Sequence, residues 1–179
     1  MGGRRAGSGA DAVAPSRDAL VEVLFRRHYA ELPRLAVVML GSREAAEDAV
    51  QEAFVSLHRN LRSLRDPEAA EAYLRSAVLN RCRSWVRRQV TQRAARPLML
   101  VREHADSAED TTVGRDEAGS LVALMRSLPR RQREVLACRF VLEMSVAETA
   151  QLLEISTGSV KAHTHRGLQA LQQRIEVSS

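Results

Sequence analysis

The chain has 179 residues, 45% of them apolar, enough to pack one domain or two small ones and too many for a disordered polymer. Only 3% are aromatic, which leaves the cores to Leu, Val and Ala and favours helices over sheets. The formal net charge of +5 suits a polyanionic partner, but charge alone assigns no function.

Residues 1–15 are rich in Gly, Ala and Ser and are expected to be disordered. Their two arginines are followed by no apolar run, so neither a secretion signal nor membrane insertion is expected, and the protein should stay in the cytoplasm. A first helix should begin near Ser16 or Asp18, with Leu20, Leu24, Phe25 and Tyr29 on its apolar side. Pro33 allows a kink or a fresh start leading through Leu35, Val38 and Met39 to a stop at Gly41. Ser42 caps the next helix, and Glu44 in its first turn complements the helix dipole. Ala46, Val50, Ala53, Phe54, Leu57 and Leu61 form its core stripe, and Asp48, Gln51, Glu52 and Val55 lie opposite. A solvated acidic face would explain the three polar residues. A valine in their midst hints at a protein contact.

After a connector from Leu61 to Asp66, the Asp66-Pro67 pair starts the longest helix, expected to reach about Gln92 with Ala70, Leu74, Ala77, Val78 and Trp85 packed. Seven arginines and no carboxylate fall between Arg75 and Arg96. Ser76, Asn80, Arg83 and Arg87 line up on one polar face, where amide, hydroxyl and guanidinium groups can bond bases as well as phosphates. A merely solvated basic helix is the plainer reading of that periodicity. Cys82 and Cys138 each sit inside a helical pattern as small apolar residues, and no Cys or His cluster has metal spacing, so no metal or cofactor is expected.

Pro97 breaks the helix, and from Glu103 to Glu117 the chain has six acids against one base, Arg115, a composition expected of a flexible linker. A second domain follows: a helix through Leu121, Leu124 and Met125, a break at Leu128 and Pro129, and a helix from Arg130 through Val135, Leu136, Arg139 and Phe140. Ser145 with Glu148 makes a capping box for a short helix to about Leu153, and Ser156 caps another whose packed side is Val160, Thr164, Leu168 and Leu171. At roughly 100° per residue the opposite side carries Ser159, Ala162 and Arg166, flanked by Lys161 and His165 and on the other edge by His163. A helix entering the major groove needs a small residue nearest the bases with donors around it, which this side provides. This tight pair of helices therefore reads as a helix-turn-helix, with an ordinary helical hairpin as the alternative.

The layout is thus all-α: a disordered 1–15, a helical domain 16–95, a linker 96–115 and a helix-turn-helix domain 116–176. With this order, the chain resembles the extracytoplasmic-function sigma factors of bacterial RNA polymerase, from roughly Leu20 to Ile175. The run EDAVQEAF (Glu47 to Phe54) resembles the family's helix that docks on the β′ clamp helices. YLRSAVLNR (Tyr73 to Arg81) with WVRR (Trp85 to Arg88) is similar to the segment that melts and captures the −10 element. SLPRRQREV (Ser127 to Val135) and the helix-turn-helix resemble the −35 reader.

The resemblance implies a promoter-specificity subunit without a catalytic residue. It implies core polymerase binding by Asp48, Gln51, Glu52 and Val55, contact with the β flap, and −10 binding by Ser76, Asn80, Arg83 and Arg87. The −35 element would be held by Arg130, Arg131, Ser159, Lys161, Ala162, His165 and Arg166, and an anti-sigma factor would be a further partner. The acidic linker would thread the polymerase near its active site and RNA exit path. Where the family often has Arg or Lys, then Ser, then Arg, this chain has Lys161, Ala162 and His163. Glu143 and Thr149 replace the Gly and Ile of many members, both tolerable in a solvated turn and a partly buried helix. Two competing classes remain open. A stand-alone helix-turn-helix regulator would leave the faces around Asp48 and Asn80 without a role. A metal-dependent hydrolase using Glu44, Glu47, Asp48 and Glu52 would lack a partner histidine, and a zinc site at His163 and His165 would need rings that a helix points about 200° apart.

Overall fold

The computed structural model describes residues 17–61, 67–95 and 115–178. The expected disordered N-terminus, most of the Leu61 to Asp66 connector and nearly all of the acidic linker lie outside the described residues. Those described form eight helices and no strand: α1 (Arg17–His28), α2 (Glu31–Leu40), α3 (Arg43–Asn60), α4 (Pro67–Ala95), α5 (Arg115–Ser127), α6 (Arg130–Phe140), α7 (Val146–Leu153) and α8 (Thr157–Ser178).

The helix ends follow local chemistry. Pro33 sits in the first turn of α2, where its missing amide costs nothing, so it marks a fresh start rather than a kink. Gly41 closes α2 with φ of 73°, a left-handed conformation that suits glycine, and Ser42 Oγ then accepts from the Ala45 amide to open α3. The Ser145–Glu148 capping box forms in both directions, Glu148 N–H to Ser145 Oγ at 3.1 Å and Ser145 N–H to Glu148 Oε2 at 2.7 Å. α4 runs three residues beyond the expected Gln92, to Ala95.

In the first half, α2 and α4 clamp α3, and Leu32, Leu35, Leu40, Leu57, Leu74, Val78 and Leu79 fill the space between them. Full burial stabilises by about 1.5–3 kcal/mol for each such side chain. Beside this core, buried His28 donates to Glu31, while Glu71 pairs with Arg75 at 2.8 Å and Arg27 at 3.1 Å, tying α1 and α2 to α4. In the second half α6, α7 and α8 enclose Val135, Leu136, Ala150, Leu153 and Val160. The halves also touch, α2 against α5 and α6, and α4 against α7.

The apolar stripes came out narrower than periodicity suggested. Phe25, Tyr29, Leu121, Phe140 and Leu168 are all exposed, since helical spacing gives the direction of a stripe but not the extent of the partner that covers it. Phe25 still makes ring contacts with Tyr29 and Phe54. Glu143 is exposed in its turn as expected, whereas Thr149 differs from expectation. Glu143 has φ of 52°, a left-handed backbone that costs a residue with a Cβ about 1–2 kcal/mol. Thr149 is fully buried rather than partly so, and its Oγ1 has no hydrogen-bond partner among the described residues.

Candidate nucleic-acid interface

Helix α8 is seated on α6 and α7. Val160 is fully buried at its first turn, Thr164 Oγ1 bonds back to the Val160 carbonyl at 2.8 Å, and Gly167 lies against Leu136. That seating fixes which side remains open: Lys161, Ala162, His165 and Arg166 are exposed, with Ser159 half-buried at the N-terminal end. Ser156 Oγ accepts from the Ser159 amide at 3.1 Å and lies 2.9 Å from Ser159 Oγ, so Ser159 shares its hydroxyl with the cap. Arg166 Nε rests on the Ala162 carbonyl at 3.3 Å, leaving the fork of the guanidinium directed outward. His163 turns inward, its Nδ1 buried without a partner, and so belongs to the packing rather than to the open side. Arg130 and Arg131 are carried by the first turn of α6.

On α4, Asn80 and Arg87 are exposed, while Ser76 and Arg83 are half-buried. The four share a face, yet they are not equally available. Arg83 donates to Asn80 Oδ1 at 3.1 Å and, with Nε and Nη2, grips both oxygens of Glu134 at 2.9 and 3.1 Å. Glu134 is 0% exposed and also accepts from Arg131 at 3.0 Å, with Arg130 Nε at 3.8 Å. The Glu134 carboxylate holds the Arg83 guanidinium above its ordinary pKa, against the opposing effect of burial. Two other arginines of the run are also committed: Arg81 to Glu52 at 2.8 Å and to Ser56 at 2.9 Å, and Arg75 to Glu71. Sequence reasoning missed Glu134, because a carboxylate inside a basic run gives no local sign that it will be buried.

On α3, Asp48, Gln51, Glu52 and Val55 are all exposed on the side away from the core, and Val55 keeps 44% of its surface. The bridge from Arg81 to Glu52 links this face to α4. Cys82 and Cys138 are buried free thiols, pushed up to about 12 by desolvation, so both behave as small apolar residues. Among the described residues no group of three His, Cys, Asp or Glu side chains could hold a metal ion, and no helix is long and apolar enough to cross a membrane.

Comparison with known proteins places these faces in a family frame. Residues 24–91 match the family model for Sigma-70 region 2, and residues 118–171 match that for Sigma-70, region 4. The chain is 33% identical over 170 residues to the ECF RNA polymerase sigma factor SigM of Mycobacterium tuberculosis, covering 93% of this chain and 84% of that one. It is 31% identical over 132 residues to the RNA polymerase sigma-E factor of Streptomyces antibioticus, covering 73% and 71%. The fold is similar to that of CnrH in its complex with the cytosolic domain of CnrY, with a TM-score of 0.68 at 22% identity over 89% of each chain. It is also similar to the sigma factor RpoE in complex with the anti-sigma factor NepR from Bartonella quintana, with a TM-score of 0.64 at 18% identity over 89% of this chain and 96% of that one.

Proposed function

Because the chain belongs to the extracytoplasmic-function sigma factors of RNA polymerase, we propose how its faces divide the work of initiation, as an adaptor in the cytoplasm rather than a catalyst. Asp48, Gln51, Glu52 and Val55 hold the first half on the polymerase clamp helices, with the second half meeting the β flap. Ser159, Lys161, Ala162, His165 and Arg166 enter the major groove of the −35 element, while Arg130 and Arg131 take backbone phosphates. Ser76, Asn80, Arg83 and Arg87 hold the unpaired −10 strand. Unstacking one base costs a few kcal/mol, to be offset by charge pairing and contacts to the base. An anti-sigma factor is the further partner. The division follows the boundaries 16–95 and 116–176, with 96–115 as the tether.

The observation that carries this reading is the open side of α8, a small residue ringed by donors on a helix whose other side is locked against α6 and α7. Run-off transcription with core polymerase on a genomic library, followed by start-site sequencing, tests it. Start sites that depend on the chain should share paired −10 and −35 sequences. Selective binding of duplex promoter DNA by the chain alone, with no chain-dependent starts, would favour the stand-alone regulator instead.

A further inference from the structure

The face of α3 proposed to dock on polymerase is flanked by a side chain from α4. Arg81 reaches across with both arms of its guanidinium: Nη1 donates to Glu52 Oε2 at 2.8 Å and Nη2 donates to Ser56 Oγ at 2.9 Å. Glu52 and Ser56 are one turn apart and neighbours on the helix surface, so a planar fork that meets both has its orientation fixed. α3 and α4 pack against each other with Ala53, Leu57, Val78, Leu79 and Cys82 all buried, so the backbones that carry the three groups are held at a fixed separation. Glu52 Oε1 has no hydrogen bond among the described residues and faces outward on an exposed side chain. Asp48 stands one turn before Glu52 and repels it, so without Arg81 nothing among the described residues holds the Glu52 carboxylate in one place.

We propose that Arg81 is a positioning residue for docking on core polymerase: its two-point grip fixes Glu52 by one carboxylate oxygen and presents the other, Oε1, to a donor on the polymerase. This rests on the assignment of Glu52 to the docking face. An unrestrained glutamate gives up its rotamer freedom when it binds, whereas a held one has already done so, which leaves more of the contact for association. The opposing effect, partial neutralisation of Glu52, is small. Arg81 and Glu52 keep 43% and 55% of their side-chain surface, so water screens their charges, while the geometry they impose is not screened. The bond to Ser56 holds the fork in place while Glu52 takes its partner. Arg81 is thereby set apart from Asn80 beside it: it serves the protein face rather than the strand.

The test titrates full-length wild type and Arg81→Met, which keeps an unbranched apolar stem and loses the fork, with purified core polymerase. The variant should bind roughly three- to tenfold more weakly, the effect of having to order one long side chain at an interface. In a Glu52→Ala background the same change should cost nothing more, as for a residue that acts only through Glu52. Arg81→Lys should stay weaker than wild type, because an ammonium cannot form the planar fork. If Arg81→Met loses helicity, Ser56→Ala replaces it: this frees one end of the fork, and a smaller loss that also vanishes with Glu52→Ala is expected. Tighter binding by Arg81→Met would make Arg81 a competitor for Glu52 and overturn the proposal. Unchanged binding, an equal loss in both backgrounds, or full binding by Arg81→Lys overturns it as well. A defect confined to −10 strand capture at saturating polymerase would make Arg81 a DNA contact instead. If Glu52→Ala itself binds core like wild type, the docking assignment is at fault, and the proposal falls with it.

Discussion

Replacing Thr149 by valine should stabilise the protein, an unusual direction for a change at a fully buried position. The Thr149 amide is already bonded to the Ser145 carbonyl at 3.0 Å, so the backbone needs nothing from the side chain. Its Oγ1 is buried without a partner, and such a hydroxyl forfeits about 1–3 kcal/mol relative to water. Valine has the same outline and nearly the same helix propensity, and a methyl in place of the hydroxyl adds roughly 0.8 kcal/mol of apolar burial. Discounted for imperfect fit, the gain is about 1–2 kcal/mol.

For a chain of this size each kcal/mol moves the melting temperature by about 2–4 °C, and by about 4–8 °C if α5 to α8 melt as a separate unit. Thermal melts followed by circular dichroism give the shift, and a urea series should raise the midpoint without changing the slope. Thr149→Ser, which keeps the hydroxyl and loses the methyl, should be destabilising by roughly 1 kcal/mol. A valine variant no more stable than wild type refutes the reasoning, because it would mean that the hydroxyl is satisfied after all.

Asp48→Arg should abolish co-purification with core polymerase and leave helicity unchanged; wild-type recovery with core would remove α3 from the docking surface. Asn80→Ala should slow open-complex formation on duplex promoter and be largely rescued by a template with a pre-melted −10 bubble. A mutant equally defective on the bubble would show that Asn80 acts after melting. Arg166→Ala should weaken all promoters alike and reduce the salt slope by about one unit, as loss of a phosphate contact requires. Its place two turns into α8 favours that role, and a loss confined to one −35 position with an unchanged slope would make it a base reader. Glu148 is held below its ordinary value of 4.5 by its hydrogen bonds to Ser145. Its contribution is therefore present above that value and lost as pH falls through the lowered folded one. Glu148→Gln should flatten the acid limb of a stability profile below about pH 4.5, and an unchanged limb would show that the capping box does not set it.

Features encoded within one turn were legible in the sequence. Gly41 and Ser42, the Ser145–Glu148 box and the Ser156 cap each satisfy backbone groups three or four residues away, so residue identity and spacing suffice. Features that depend on a distant surface were not. The burial of Glu134 needs Arg83 from another helix, and the exposure of Leu168 reflects where α6 and α7 stop covering α8. Thr149 illustrates the same limit: periodicity placed it in a helix that packs, and only the surroundings decide that its hydroxyl is stranded.

Gly167 sits so close to α6 that a Cβ there would lie 2.9 Å from Leu136 Cδ1, nearer than unstrained atoms approach. Its neighbours Arg166 and His165 belong to the open side, so the turn that grips the scaffold also carries part of the side proposed to meet DNA. For an engineer changing promoter preference, α8 is therefore a cassette that can be relettered along one edge only. Positions 161, 162, 165 and 166 are exposed and free to vary, whereas Ser159 is tied to the Ser156 cap and Val160 and Gly167 pack against the support. Alanine at 167 would have to push the tip of the Leu136 side chain aside, so the seating of α8 on α6 cannot change at that position without repacking Leu136.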